Sequence, residues 1–112
     1  MVPQPVDLSF LEYPGVTVTG EVYDSMEPDF LLQDLVEVAL PNGEIVDLGW
    51  YPEHDPNGQF RVVVFDYQSM TRSEEHFTRD LAKALEMIER IIKDKVKRRT
   101  EASTTHRVPP VE

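Results

Sequence analysis

The sequence predicts an α+β fold: an antiparallel β-meander of about four strands with one long C-terminal α-helix packed on one face. Three observations carry this reading. Residues 16–67 contain several short apolar runs with period two. The tripeptide Pro-Asn-Gly stands at 41–43 and again at 56–58, between such runs. From Phe77 onward the apolar period changes to steps of three and four.

Residues 1–15 form an N-terminal segment with three prolines, in which "LSFLEY" (8–13) is apolar enough to dock as a short edge element. In "VTVTGEVY" (16–23), Val16, Val18 and Val22 alternate with Thr17, Thr19, Glu21 and Tyr23, the pattern of a half-buried strand. "DSMEPDF" (24–30) is a loop broken by Pro28. "DLVEVAL" (34–40), "EIVDLGWYP" (44–52) and "QFRVVVFDY" (59–67) are the remaining strands of a meander over 16–67.

The register of these strands decides what Pro-Asn-Gly does. If Asn42-Gly43 were a two-residue turn, Glu37 would share a face with Val46, Leu48 and Trp50, and both faces would be mixed. With a three-residue loop, Pro41 and Asn42 occupy the centre of a type I turn and Gly43 takes the left-handed position. Leu40 then pairs with Glu44, Val38 with Val46 and Val36 with Leu48, and one face becomes wholly apolar. Read in the same way, the second copy pairs Asp55 with Gln59, Trp50 with Val64 and Glu53 with Arg61. Phe60, Val62 and Val64 join the face of Trp50.

Phe77, Leu81, Ala84, Leu85, Ile88, Ile92 and Val96 make one helical stripe, with Ile91 beside them. Thr71 and Glu74 read as a capping box, so the helix is placed at 72–98, about 40 Å long at 1.5 Å per residue. Its last turns are expected to run past the sheet. Residues 1–98 thus make a single α+β domain, and the aperiodic residues 99–112 are expected to be a disordered tail.

Charge is unevenly spread over a chain of net −10: residues 1–66 carry thirteen Asp and Glu against Arg61 alone, whereas "KDKVKRR" (93–99) carries five bases and one acid. Such a field repels phosphate, so no nucleic-acid partner is expected. The basic run reads as the cationic end of a helix. There is no cysteine, no secretory signal and no apolar run long enough to span a membrane. The expectation is a cytoplasmic protein without membrane contact.

Two groups of residues stand out as candidate sites. The face opposite Trp50 collects Leu35, Ala39, Ile45, Tyr51, Val63, Phe65 and Tyr67, together with Glu37, Asp47, Glu53 and Arg61. One helix covers only one face, so either residues 1–15 cover this one or it is an interface, with Ile45, Tyr51, Val63, Phe65 and Tyr67 as its contacts. The second candidate is "WYPEHDP" (50–56), where Glu53, His54 and Asp55 could do acid–base chemistry. Neighbours in a strand point to opposite faces, however, and no two histidines have helical metal-ligand spacing. No nucleophile elbow, phosphate loop or dinucleotide motif is present. No metal and no cofactor is implied.

The functional expectation is a small acidic, non-enzymatic interaction module that binds a protein partner or itself, as a homodimer through the second sheet face. Two alternatives stand beside it. One is an inhibitor-like acidic protein that masks a basic partner such as a nuclease. The other is a small enzyme with its site around Glu53, His54 and Asp55.

Overall fold

The computed structural model describes residues 3–107, with side chains through Val96. Its described part is one antiparallel sheet with a single helix on one face. The strands are β1 (Thr17–Gly20), β2 (Val36–Ala39), β3 (Glu44–Tyr51), β4 (Gln59–Asp66) and β5 (Arg72–Thr78), and the helix α1 is Leu81–Arg107. Spatial order follows sequence order, β1-β2-β3-β4-β5. The meander expected from the sequence is therefore present, with five strands rather than about four.

The first Pro-Asn-Gly behaves as the apolar register requires. Leu40 donates its N–H to Glu44 O at 2.9 Å, Gly43 N donates back to Leu40 O at 3.1 Å, and Gly43 has φ +92°. Val38 lies opposite Val46 and Val36 opposite Leu48. The Asn42 side chain closes the turn by accepting the Glu44 N–H at 2.9 Å.

The second copy does not repeat this. Trp50 pairs with Phe60 and Tyr51 with Gln59, so residues 52–58 form a longer connection and the expected pairs Trp50–Val64 and Glu53–Arg61 are replaced. The ladder ends at Tyr51, and the chain continues through a cis Tyr51-Pro52 bond and a left-handed His54 (φ +67°). Arg79 holds the connection from outside, donating to Gly58 O and, at 3.0 Å, to Pro56 O. The slip is four residues in the pair sum, an even number, so each strand keeps its predicted face.

The second difference is β5. Residues 72–78 were expected to open the helix, but they pair with β4 from Phe60↔Thr78 to Phe65↔Arg72, with a register shift at Val64/Phe65. Phe77 is the only apolar residue of "RSEEHFT", so the strand forms by ladder pairing, which satisfies the backbone of an edge that β4 would otherwise leave open. Asp66 makes the turn: its Oδ1 accepts the N–H of Gln68 at 2.9 Å and of Ser69 at 3.0 Å. The helix starts instead at Leu81, capped by Asp80, whose carboxylate accepts the Lys83 N–H at 3.3 Å and whose carbonyl accepts that of Ala84 at 3.0 Å. Phe77 thus leaves the helical stripe. At its far end α1 continues through residues 99–107, which were expected in the tail. Residues 108–112 lie outside the described residues.

The core lies between the sheet and α1. Val36, Val38, Val46, Leu48, Trp50, Phe60, Val62 and Val64 from the sheet meet Ala84, Leu85, Ile88, Ile91 and Ile92 from the helix. Trp50 is fully buried, edge-on to Phe60 at 4.8 Å, and its indole N–H is satisfied by Asp55 O at 2.7 Å. Leu11, from the 3-10 turn Ser9–Leu11, is fully buried in the same cluster, and Val6, Leu8 and Tyr13 pack against it. The N-terminal segment therefore packs on the helix side of the sheet. Leu35, expected on the other face, also joins this core. β1 is shorter than its alternating run and ends at Gly20, which at φ +92° approaches the Leu35 carbonyl too closely for any side chain.

Candidate functional site: the open face of the sheet

Because residues 3–15 pack with the helix, no second layer of described residues covers the other face of the sheet. Strand alternation places on it Thr17 and Thr19 from β1, Glu37 and Ala39 from β2, and Ile45, Asp47, Gly49 and Tyr51 from β3. Arg61, Val63 and Phe65 follow from β4, and Ser73, Glu75 and Phe77 from β5, with Arg72 at the bulge. The loop before β2 overlaps one border, where the Gln33 carbonyl fills the space above Gly49.

The centre of this face is apolar. Ile45 and Val63 are only 7% and 6% exposed, yet neither belongs to the core beneath the helix. Phe65 and Tyr51 are half-buried, and Phe77 is 50% exposed at the β5 edge. Tyr67, expected with this group, lies past the end of β4. Its N–H donates to Gly43 O at 3.1 Å, and its ring is 67% exposed beside the first hairpin. Of the five residues singled out, the structure thus brings Ile45, Tyr51, Val63 and Phe65 onto the sheet face and sets Tyr67 at its end.

The polar groups of the face are ordered in a row. Reading across the strands, Thr19, Glu37, Asp47, Val63 and Glu75 stand opposite one another in turn. Glu75 is neutralised twice, by Arg61 at 2.6 Å and by Arg72 at 3.1 Å. The Arg61 guanidinium also lies 5.1 Å over the Tyr51 ring. Glu37 and Asp47 make none of the ion pairs found among the described residues. Burial, and after it the charges of Asp34 and Glu37, push the Asp47 carboxyl up to about 6, against a weaker opposing pull from Arg61.

The residues of the Trp50–Pro56 stretch go elsewhere. Glu53 accepts the Gln33 N–H at 3.1 Å. His54 places Nδ1 2.8 Å from the Pro28 carbonyl, which can only accept, so Nδ1 carries the proton. Asp55 accepts the Asn57 N–H at 2.9 Å through its side chain and the Trp50 indole through its carbonyl. The three side chains face three different partners and converge on no common point. Their chemistry is that of loop anchors. Among the described residues no group of three or more His, Asp or Glu is arranged to hold a metal ion.

A cleft of about 470 Å³ opens at the start of α1, between Val6, Tyr23, Met26, Phe60, Leu81 and Leu85. Its one cation, Arg79, is already engaged by the Gly58 and Pro56 carbonyls. Among the described residues no helix is long and apolar enough to cross a membrane.

Sequence reasoning missed Glu75 and Phe77 on the open face, because it assigned residues 72–78 to the helix. No local signal marked the strand: "RSEEHFT" holds a single apolar residue, Phe77, which stands four residues before Leu81 at helical spacing. Asp34 was missed because its part in the face depends on the path of the loop before β2. The chain matches no protein-family model, no curated protein and no solved structure, so the functional reading rests on this geometry.

Proposed function

We propose that this protein is a small, acidic, non-catalytic interaction module whose working surface is the open face of the sheet. One observation carries the reading: the face has an apolar centre at Ile45, Val63 and Phe65 but no layer of described residues over it. A sheet with one helix normally presents polar side chains on its outer face. Here the apolar positions continue on both faces of β3 and β4, the pattern of strands that are covered twice. An enzymatic reading centred on Glu53, His54 and Asp55 gains nothing from the geometry, since all three are used to hold their loop.

The test is a paired capture experiment with the parent and with Phe65→Asp and Phe77→Asp as baits, each first shown to melt as a folded protein. A macromolecule held by the parent and released by both variants supports the open face. Identical captures with all three baits would remove it as the working surface.

A further inference from the structure

We propose that the occupant of the open face is a cationic, apolar polypeptide segment, which sets an arginine on the Glu37–Asp47 pair and an aliphatic or aromatic side chain on the half-buried Phe65. This rests on the open face being the working surface and names what fits it.

The charge arrangement supports the choice. Glu37 and Asp47 are directly opposed on neighbouring strands, a like-charge pair that weakens a sheet. Asp34 adds a third carboxylate to their field. Among the described residues the cations of the face, Arg61 and Arg72, are both turned to Glu75. A guanidinium offers a planar fork of donors that can bridge two adjacent carboxylates, which a lysine ammonium does less well. Its arrival would offset the Asp34 and Glu37 charges, which add to burial in holding the Asp47 carboxyl up. One strand further along the same row lies Val63, and Phe65 is next on its face. Strands are about 4.8 Å apart, so the cation and its apolar neighbour need be only about 5–10 Å from each other.

The same row disfavours a second copy of this chain, the homodimer expected from the sequence. Two stacked faces would bring two like-charged Glu37–Asp47 pairs into one contact. Each copy also carries a net charge of −10 into the contact. A cationic segment meets neither obstacle.

The experiment uses a fluorescein-labelled Arg-Leu-Ser repeat peptide, with Lys-Leu-Ser and Glu-Leu-Ser versions, titrated with the full chain and followed by anisotropy at low and moderate salt. The Arg peptide is expected to bind, the Lys peptide more weakly and the Glu peptide not at all. The double variant Glu37→Gln/Asp47→Asn is expected to weaken Arg-peptide binding by about tenfold or more, the scale of a lost charge-assisted contact. Phe77→Ser, at an exposed position, should weaken it as well. The control Glu12→Gln/Glu86→Gln removes the same charge from exposed positions off the face and is expected to change affinity by less than about twofold, since exposed charges beyond a Debye length are screened.

Absence of Arg-peptide binding, or equal loss in the two charge doubles, overturns the proposal; the second result would mean that only net charge attracts the peptide. Light scattering on the same samples separates this failure from that of the parent reading. A dimer broken by Phe65→Asp, without peptide binding, would keep the open face and assign it to a second copy. A monomer that binds no peptide and whose captures are unchanged by Phe65→Asp would end both.

Discussion

The two faces of this sheet are built from the same strands and differ in what the alternate positions meet. Toward α1, β2, β3 and β4 present Val, Leu, Trp and Phe, and no polar or charged residue is buried among them. Away from α1, the same strands mix Ile45, Val63 and Phe65 with Glu37, Asp47 and Arg61. On the covered face every residue gains by burial, about 25 cal/mol per Å² of apolar surface removed from water. On the open face Glu37 and Asp47 oppose each other, and part of the apolar surface remains wet. One set of strands therefore divides two tasks between its faces: cohesion on one, and a surface held away from its own optimum on the other.

Mutations should separate these tasks, and the largest effect belongs to the covered face. Trp50→Ala is expected to lower stability by roughly 3–5 kcal/mol in urea melts, because it empties a fully buried site. A loss below about 1 kcal/mol would show that the two faces contribute alike.

Asp47→Asn should act in the opposite direction. The folded-state carboxyl is raised from its ordinary value of 3.8 to about 6, first by burial and then by Asp34 and Glu37. The folded protein thus holds this proton more tightly than the unfolded chain. The ionised group is a full penalty above about pH 6, and the penalty fades as pH falls toward 3.8. Discounted for partial exposure, the substitution should stabilise the protein by about 1–2 kcal/mol at neutral pH. The gain should shrink on acidification, as parent and variant melts are compared from pH 7 to pH 4. A gain that grows on acidification would reverse the assigned sign.

The smallest effect is expected at the rim. Phe77→Ser, at a half-exposed position on the edge strand, should change stability by no more than about 0.5 kcal/mol. A much larger loss would mean that the open face helps to hold the fold together.

How much of this was legible in the sequence is best judged from the two Pro-Asn-Gly copies. The first lies between runs whose apolar phases fix the register by themselves, so the three-residue loop follows from the pattern. The second follows Pro52, and its connection is set by Arg79, Trp50 and the 28–31 segment, partners 23, 5 and 26 residues away along the chain. Local turn chemistry could not report those contacts. The face assignment survived because the error in register was even.

β5 was lost for a related reason. Thr71 and Glu74 satisfy a helix-capping pattern, and Phe77 stands four residues before Leu81, so the helical period seemed to begin early. What decided between helix and strand was the open backbone edge of β4, a tertiary feature. For the candidate site, alternation alone placed Ile45, Tyr51, Val63 and Phe65 together. The pairing of Glu75 with Arg61, while Glu37 and Asp47 stay outside the ion pairs of the described residues, required β5.

The strictly sequential strand order has a kinetic side. Each strand's neighbour is the next one along the chain. Short closures of this kind favour rapid folding, because little chain entropy is lost before the first contacts form. The β3–β4 ladder joins eight residue pairs, whereas β1 is tied to β2 by four across a long intervening loop. Opening should therefore begin at the β1 margin. Amide exchange at Thr19 is expected to run ahead of exchange at Val46, which would leave the β3–β4 centre of the exposed surface as the last part to lose its shape.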